Sequence, residues 1–325
     1  MQKIQWAWVF ILCHSLLLIG CSSEQDKWQQ QLDQQAVISA SKVDRLKQHI
    51  SAGHIANTRL LSQYAAIIRQ GNPELDELSR ALEQDAGIDG PIIRSLESRL
   101  SDAKSDIGHV ITMGNEQVNK VYQELSAIEA AAQPDTYGMM LSDPINVLAD
   151  MSQGKLARVA ALSAEASARI NDAEDFGPGS QLVGNPQYGN WQTNSSGNSF
   201  WHWYGQYAFF SSMFRSPIGY GHWGRHRDYS YYNDYGRSTY TSPSQRKNQQ
   251  STERSTRQKF KQSGQRFSSP YANTKQTTSA VARKDSKFQP SSLARSTATK
   301  STASSTTSSY RNSSYQSSRS RFGGK

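Results

Sequence analysis

The first half of the chain is written in steps of three and four. Leu32, Ala36, Val43, Leu46, Ile50, Leu60, Tyr64 and Ile67 keep that rhythm, with Ser39, Gly53 and Asn57 as its weak members. Apolar positions at this spacing make one stripe along an α-helix. The stripe predicts a helix over residues 25–70, ~70 Å long at 1.5 Å per residue. Asn72-Pro73 supplies a cap and a first-turn proline for a second, short helix over 73–86 carrying Leu75, Leu78 and Leu82. Gly87 to Pro91 breaks it. A third helix over 91–132 follows, with Ile93, Leu96, Leu100, Ala103 and Ile107, and then Ile111, Val118, Val121, Leu125 and Ile128. Asp143-Pro144 opens a fourth over 144–174, with Ile145, Leu148, Val159, Leu162, Ala166 and Ile170 inside.

The connections near 71–73 and 133–143 are short enough for helical hairpins. The expected fold class is therefore all-α: an elongated antiparallel helical bundle or coiled-coil rod over 21–175. Intramolecular packing is favoured over an intermolecular coiled coil.

From residue 176 to 240 the pattern changes. Phe200, Trp203, Tyr207, Phe210 and Phe214 suit a helix, whereas Trp201, Trp203, Tyr207 and Phe209 suit a strand. The density of aromatics leaves three readings open. They cover a flank of the bundle, they lie at a membrane interface where Trp and Tyr settle at headgroup level, or they stack on glycans. The candidates for membrane or glycan contact are Phe200, Trp201, Trp203, Tyr204, Tyr207, Phe209, Phe210 and Trp223. His222 and His226 have a helical metal-ligand spacing, but a lone pair lacks the remaining ligands, so no metal or other cofactor is expected. Neither these histidines nor His202 belongs to a recognisable catalytic constellation, and the chain is expected to be non-enzymatic.

Charge separates the regions further. Residues 21–175 hold 14 Lys+Arg against 23 Asp+Glu, and residues 241–325 hold 17 Lys+Arg against Glu253 and Asp285 alone. The overall net charge of +9 hides an acidic body and a basic tail. The tail has almost no aliphatic residues, Val281 and Leu293 being isolated, and too little apolar area to offset chain entropy. Disorder is expected over 241–325. Its cations, with those of the aromatic segment, are candidate polyanion contacts: Arg225, Arg227, Arg246, Lys247, Arg257, Lys259 and Lys261. A second expectation is that the tail folds back on the acidic body of its own chain.

The start of the chain supplies an address. Met1-Gln2-Lys3 precedes an apolar run from Trp6 to Ile19, and Leu18-Ile19-Gly20-Cys21 ends it. This order resembles a bacterial lipoprotein precursor, with residues 1–20 as signal peptide. The resemblance implies lipidation of Cys21, a membrane-anchored mature chain, and, from Ser22 at the following position, sorting to the outer membrane with a periplasmic face. Two or three acyl chains anchor where one would not, at about 0.8 kcal/mol per buried methylene. With Cys13 in the leader and Cys21 lipidated, thiol catalysis and cysteine-ligated zinc are excluded.

In that compartment nucleic acid is not the expected partner, and the polyanions at hand are peptidoglycan, lipopolysaccharide and anionic lipid. A chain that begins Cys-Ser-Ser and ends in Lys325 is similar at its termini to murein lipoprotein, which implies Lys325 as a point of wall attachment. The expected role is a spacer or tether, with a bilayer-inserting envelope-stress factor as the alternative.

Overall fold

The computed structural model describes residues 23–214 and 216–277. Eight α-helices precede a two-stranded hairpin: α1 (Glu24–Ser51), α2 (Ala56–Gly71), α3 (Asp76–Gln84), α4 (Pro91–Met113), α5 (Asn115–Ala131), α6 (Pro134–Met140), α7 (Ser142–Met151) and α8 (Ala164–Asn171). The antiparallel pair β1 (Gly189–Thr193) and β2 (Ser199–Trp203) sets Trp191 opposite Trp201. Short helices α9 (Phe210–Met213), α10 (Tyr220–His226) and α11 (Arg237–Tyr240) follow, and α12 (Pro243–Gln262) ends the regular structure. The fold is mostly helical.

The helix expected over 25–70 is two helices. Gly53, at φ +65°, closes α1: the Gly53 amide donates to the Ile50 carbonyl and the His54 amide to the His49 carbonyl. This paired ending needs a left-handed residue just past the helix, a conformation glycine adopts without steric cost. The break resets the phase. Leu32, Ala36, Val43 and Leu46 are buried in α1 as the stripe requires, but α2 buries Leu61, Tyr64, Ala65 and Ile68 and leaves Ile67 on the surface. The helix expected over 91–132 is likewise two, split at Gly114, which sits at φ +98°. In place of 144–174 there are α7, an irregular stretch, and α8.

Helices α1, α4 and α5 pack on one another as a bundle. Arg99 of α4 meets Glu124 of α5 at 2.6 Å, so these two run antiparallel about the Gly114 turn. The Ser39 hydroxyl of α1 donates to the Leu125 carbonyl of α5, and Lys47 of α1 reaches Glu97 of α4 at 2.6 Å. The Asn57 amide beyond α1 bonds the Gly138 carbonyl beyond α5. Helices α1 and α5 thus rise together while α4 descends, and the bundle's base holds the start of α1 and the Gly114 turn. Its top holds α2, α3, α6, α7 and the described residues after 175. Over its 28 residues α1 spans about 42 Å.

The aromatic segment is sewn into this top. The Tyr240 hydroxyl donates to the Ala131 carbonyl at the end of α5, and Arg99 donates to the Thr239 carbonyl. Asp143, fully buried in α7, accepts from the Ser230 hydroxyl and from the amides of Tyr231 and Tyr232. Asp85, fully buried after α3, accepts from the Tyr207 hydroxyl. Burial pushes both carboxyls up to about 7, against donors that favour the ionised form.

The tail also differs from its expectation over the described part. Ser242, Pro243 and Gln245 start α12 with a capping box: the Gln245 amide donates to the Ser242 hydroxyl and the Ser242 amide to the Gln245 side chain. Helix α12 buries Gln249 and Thr256, and residues 267–271 fold back so that Pro270 is buried against the core. The order comes from aromatic and amide contacts supplied by the preceding segment, which an aliphatic count overlooks.

Candidate functional site

The basic residues come together on α12, which carries Arg246, Lys247, Arg254, Arg257, Lys259 and Lys261 against Glu253 alone. A cleft of about 400 Å³ on its flank is lined by Arg237, Gln250, Glu253, Arg254, Arg257 and Ser269. Arg237 enters it from α11 by stacking at 3.7 Å on the Tyr271 ring while its Nε donates to Gln249. Glu253 is oriented by the Ser269 hydroxyl at 3.0 Å and by Arg257 at 2.8 Å. Three guanidiniums against one carboxylate give the cleft a net positive charge. Their planar forks match carboxylate and phosphate oxygens two at a time.

The candidate cations divide. Arg225, Lys247, Arg257 and Lys261 are exposed, with Arg225 over the Phe260 ring and Arg257 over Phe267. Arg246 is half-buried and donates to the Ser238 and Thr241 carbonyls, clamping the start of α12. Lys259 reaches the Ser196 carbonyl and the Asn198 side chain at the tip of the hairpin. Arg227 is a correction. It is 2 % exposed and forks onto Asp234 at 2.6 and 3.0 Å, with its Nε donating to the Pro270 carbonyl. A guanidinium satisfied this fully inside the protein is structural, and no external polyanion reaches it.

The aromatic candidates are corrected more heavily. Trp201, Trp203, Tyr207, Phe210 and Trp223 are buried, Phe200 is half-buried, and only Tyr204 and Phe209 are openly exposed, each at 42 %. The buried rings contact one another: Trp191 lies 5.1 Å from Trp201 and 5.1 Å from Trp223, and Trp203 lies 4.9 Å from Phe210. These side chains make a core, so they present no broad face to a bilayer. Cys21 and Lys325 lie outside the described residues.

His222 bonds Glu174 at 2.6 Å, and His226 lies 3.7 Å from Asp172. No group of three or more His, Cys, Asp or Glu able to hold a metal gathers among the described residues, and none of their helices is long and apolar enough to cross a membrane. Sequence reasoning missed Arg237, Arg254 and Trp191. The cue for Arg254 was present, because Arg246, Gln250, Arg254, Arg257 and Lys261 follow the helical spacing once Ser242-Pro243 is taken as a helix start.

No family model, no curated protein and no solved structure matches the chain.

Proposed function

We propose that the chain is a lipid-anchored, non-enzymatic tether of the bacterial outer membrane, facing the periplasm. Cys21 carries the lipid. Bundle α1/α4/α5 is a stalk, and its top is a head that binds the polyanionic cell wall through α12 and the Arg237–Arg254–Arg257 cleft. The observation that carries this reading is the placement of ends. The chain enters α1 three residues after Cys21, at the base, whereas the arginine cleft belongs to the top, with about 42 Å of helix between. Peptidoglycan stem peptides offer the carboxylates such a cleft takes.

Bilayer insertion of the aromatic block is disfavoured, because exposing Trp201, Trp203, Tyr207, Phe210 and Trp223 would dismantle the head's core. Co-sedimentation with purified peptidoglycan tests the reading. The full chain pellets with the wall at low salt and is released as salt screens the contact, and Arg254→Gln/Arg257→Gln weakens pelleting several-fold. Pelleting indifferent to both salt and the double substitution would remove the cleft from the account.

A further inference from the structure

Residues 267–276 lie across the head as a strap with no helix or strand of their own. A single backbone hydrogen bond stays within the strap, from the Ala272 amide to the Ser269 carbonyl. Its other fastenings come from the rest of the head. Arg227 Nε donates to the Pro270 carbonyl, and Gly224 of α10 makes room for the Pro270 ring, which a Cβ there would crowd at 3.2 Å. The Lys275 amide donates to Asp234 at 3.0 Å. Asn171, at the end of α8, clips Gln276 twice. Its side-chain nitrogen donates to the Gln276 carbonyl, and its side-chain oxygen accepts from the Gln276 amide.

The same strap supports the arginine cleft. Ser269 is one of the cleft's walls and donates to Glu253 at 3.0 Å. The Tyr271 ring lies 3.7 Å from the Arg237 guanidinium, and the Phe267 ring lies 5.6 Å from that of Arg257. Arg237 spends Nε on Gln249 and one face on Tyr271, while its terminal nitrogens bond no described residue. An aromatic face holds a guanidinium in one plane, so its fork is set before an anion arrives. With the strap undocked, Arg237 and Arg257 lose their rings and Glu253 loses a hydroxyl partner. The preorganised cleft is therefore the cleft with the strap in place. A ligand that prefers one of two states stabilises that state by its differential affinity, and the coupling is reciprocal.

We propose that residues 267–276 are the closing strap of the arginine cleft, and that an anionic ligand in the cleft locks the strap down. The inference rests on the reading of the cleft as an anion site and adds what closes it.

Amide exchange of the full chain in detergent tests this. The Tyr271, Ala272, Lys275 and Gln276 amides are hydrogen-bonded in the docked strap and report its opening. The probes are glutarate, a small dicarboxylate, and muropeptides released from peptidoglycan, with binding followed by calorimetry at constant ionic strength. A ligand that needs the docked strap slows these amides by up to about twentyfold at about twenty times its dissociation constant. Asn171→Ala, outside the cleft lining, speeds them several-fold, and the ligand slows them in this variant too. Tyr271→Leu weakens binding about three- to tenfold. Tyr271→Phe keeps the ring and loses only a hydroxyl that has no hydrogen-bond partner, so it binds as the wild type does. Binding of either probe with strap exchange unchanged, or equal binding by Tyr271→Leu, overturns the strap and leaves the cleft standing. Slowing by glutarate without binding of muropeptides keeps the strap and counts against the wall reading. No binding of either probe overturns both.

Discussion

The bundle and the head hold themselves together by different rules. In the bundle, aliphatic residues such as Leu96, Leu100, Leu125 and Ile128 fill the interior and most charges stay outside. Its one buried ion pair, Arg99–Glu124, sits towards the top, where it also catches the Thr239 carbonyl. In the head, rings fill the interior and charges are buried with them. Arg227 is locked to Asp234, and Arg158 lies between Asp228 at 2.6 Å and Asp150 at 3.6 Å. Aliphatic packing is non-directional and tolerates sliding, whereas a buried charge demands one partner in one geometry. The difference suits the proposed division of labour, in which the bundle only has to span and the head has to present fixed surfaces.

That contrast can be broken by substitution, beginning with the head. Arg227→Ala strands the fully buried Asp234 carboxylate and should cost about 3–5 kcal/mol, read as a lowered urea midpoint. Leu125→Ala, in the bundle interior, should cost about 2–4 kcal/mol through lost transfer energy and a cavity. Because Tyr240 and Arg99 join the two regions, both variants should unfold in a single transition by fluorescence and circular dichroism. Two separated transitions would show the head and stalk to be independent.

A smaller effect comes from pH. The Asp85 carboxyl is near 7 in the folded chain and about 3.9 when unfolded. The folded state therefore binds more protons between these values, so this group's contribution is complete below pH 4 and is lost as pH rises to 7. Asp143 acts in the same direction. Asp85→Asn should flatten the decline in urea midpoint between pH 4.5 and 7.5, and an equally steep decline would show that the carboxyl is ionised throughout. The smallest effect is on the surface, where Lys120→Ala removes an exposed pair with Glu116 and should leave the midpoint unmoved.

The bundle was legible in the sequence because its stripe is one residue class at one period. Leu32, Val43, Leu96, Leu125 and Ile128 are buried as their spacing requires. What the stripe hid was punctuation: Gly53 read only as a weak position and Gly114 fell unmarked inside one long helix, whereas both take a positive φ and end a helix. The head was not legible, because its core is chosen by contacts distant in sequence. Asp143 looked like a helix cap for Pro144, yet it accepts from residues nearly ninety positions later. Arg227 looked like one more surface cation until Asp234 and the Pro270 carbonyl enclosed it. The arginine cleft fell between these extremes, since half of it follows helical spacing on α12 and Arg237 reaches it only through the fold.

The central claim is that two separate attachments act at opposite ends of one stalk. Cell fractionation of Cys21→Ala beside Arg254→Gln/Arg257→Gln, each scored for membrane partition and for wall pelleting, tests it most directly. The account predicts that Cys21→Ala leaves the membrane fraction but still pellets with peptidoglycan, and that the double substitution does the reverse. Retention of Cys21→Ala in the membrane, or joint loss of both attachments in either variant with the fold intact, would contradict it.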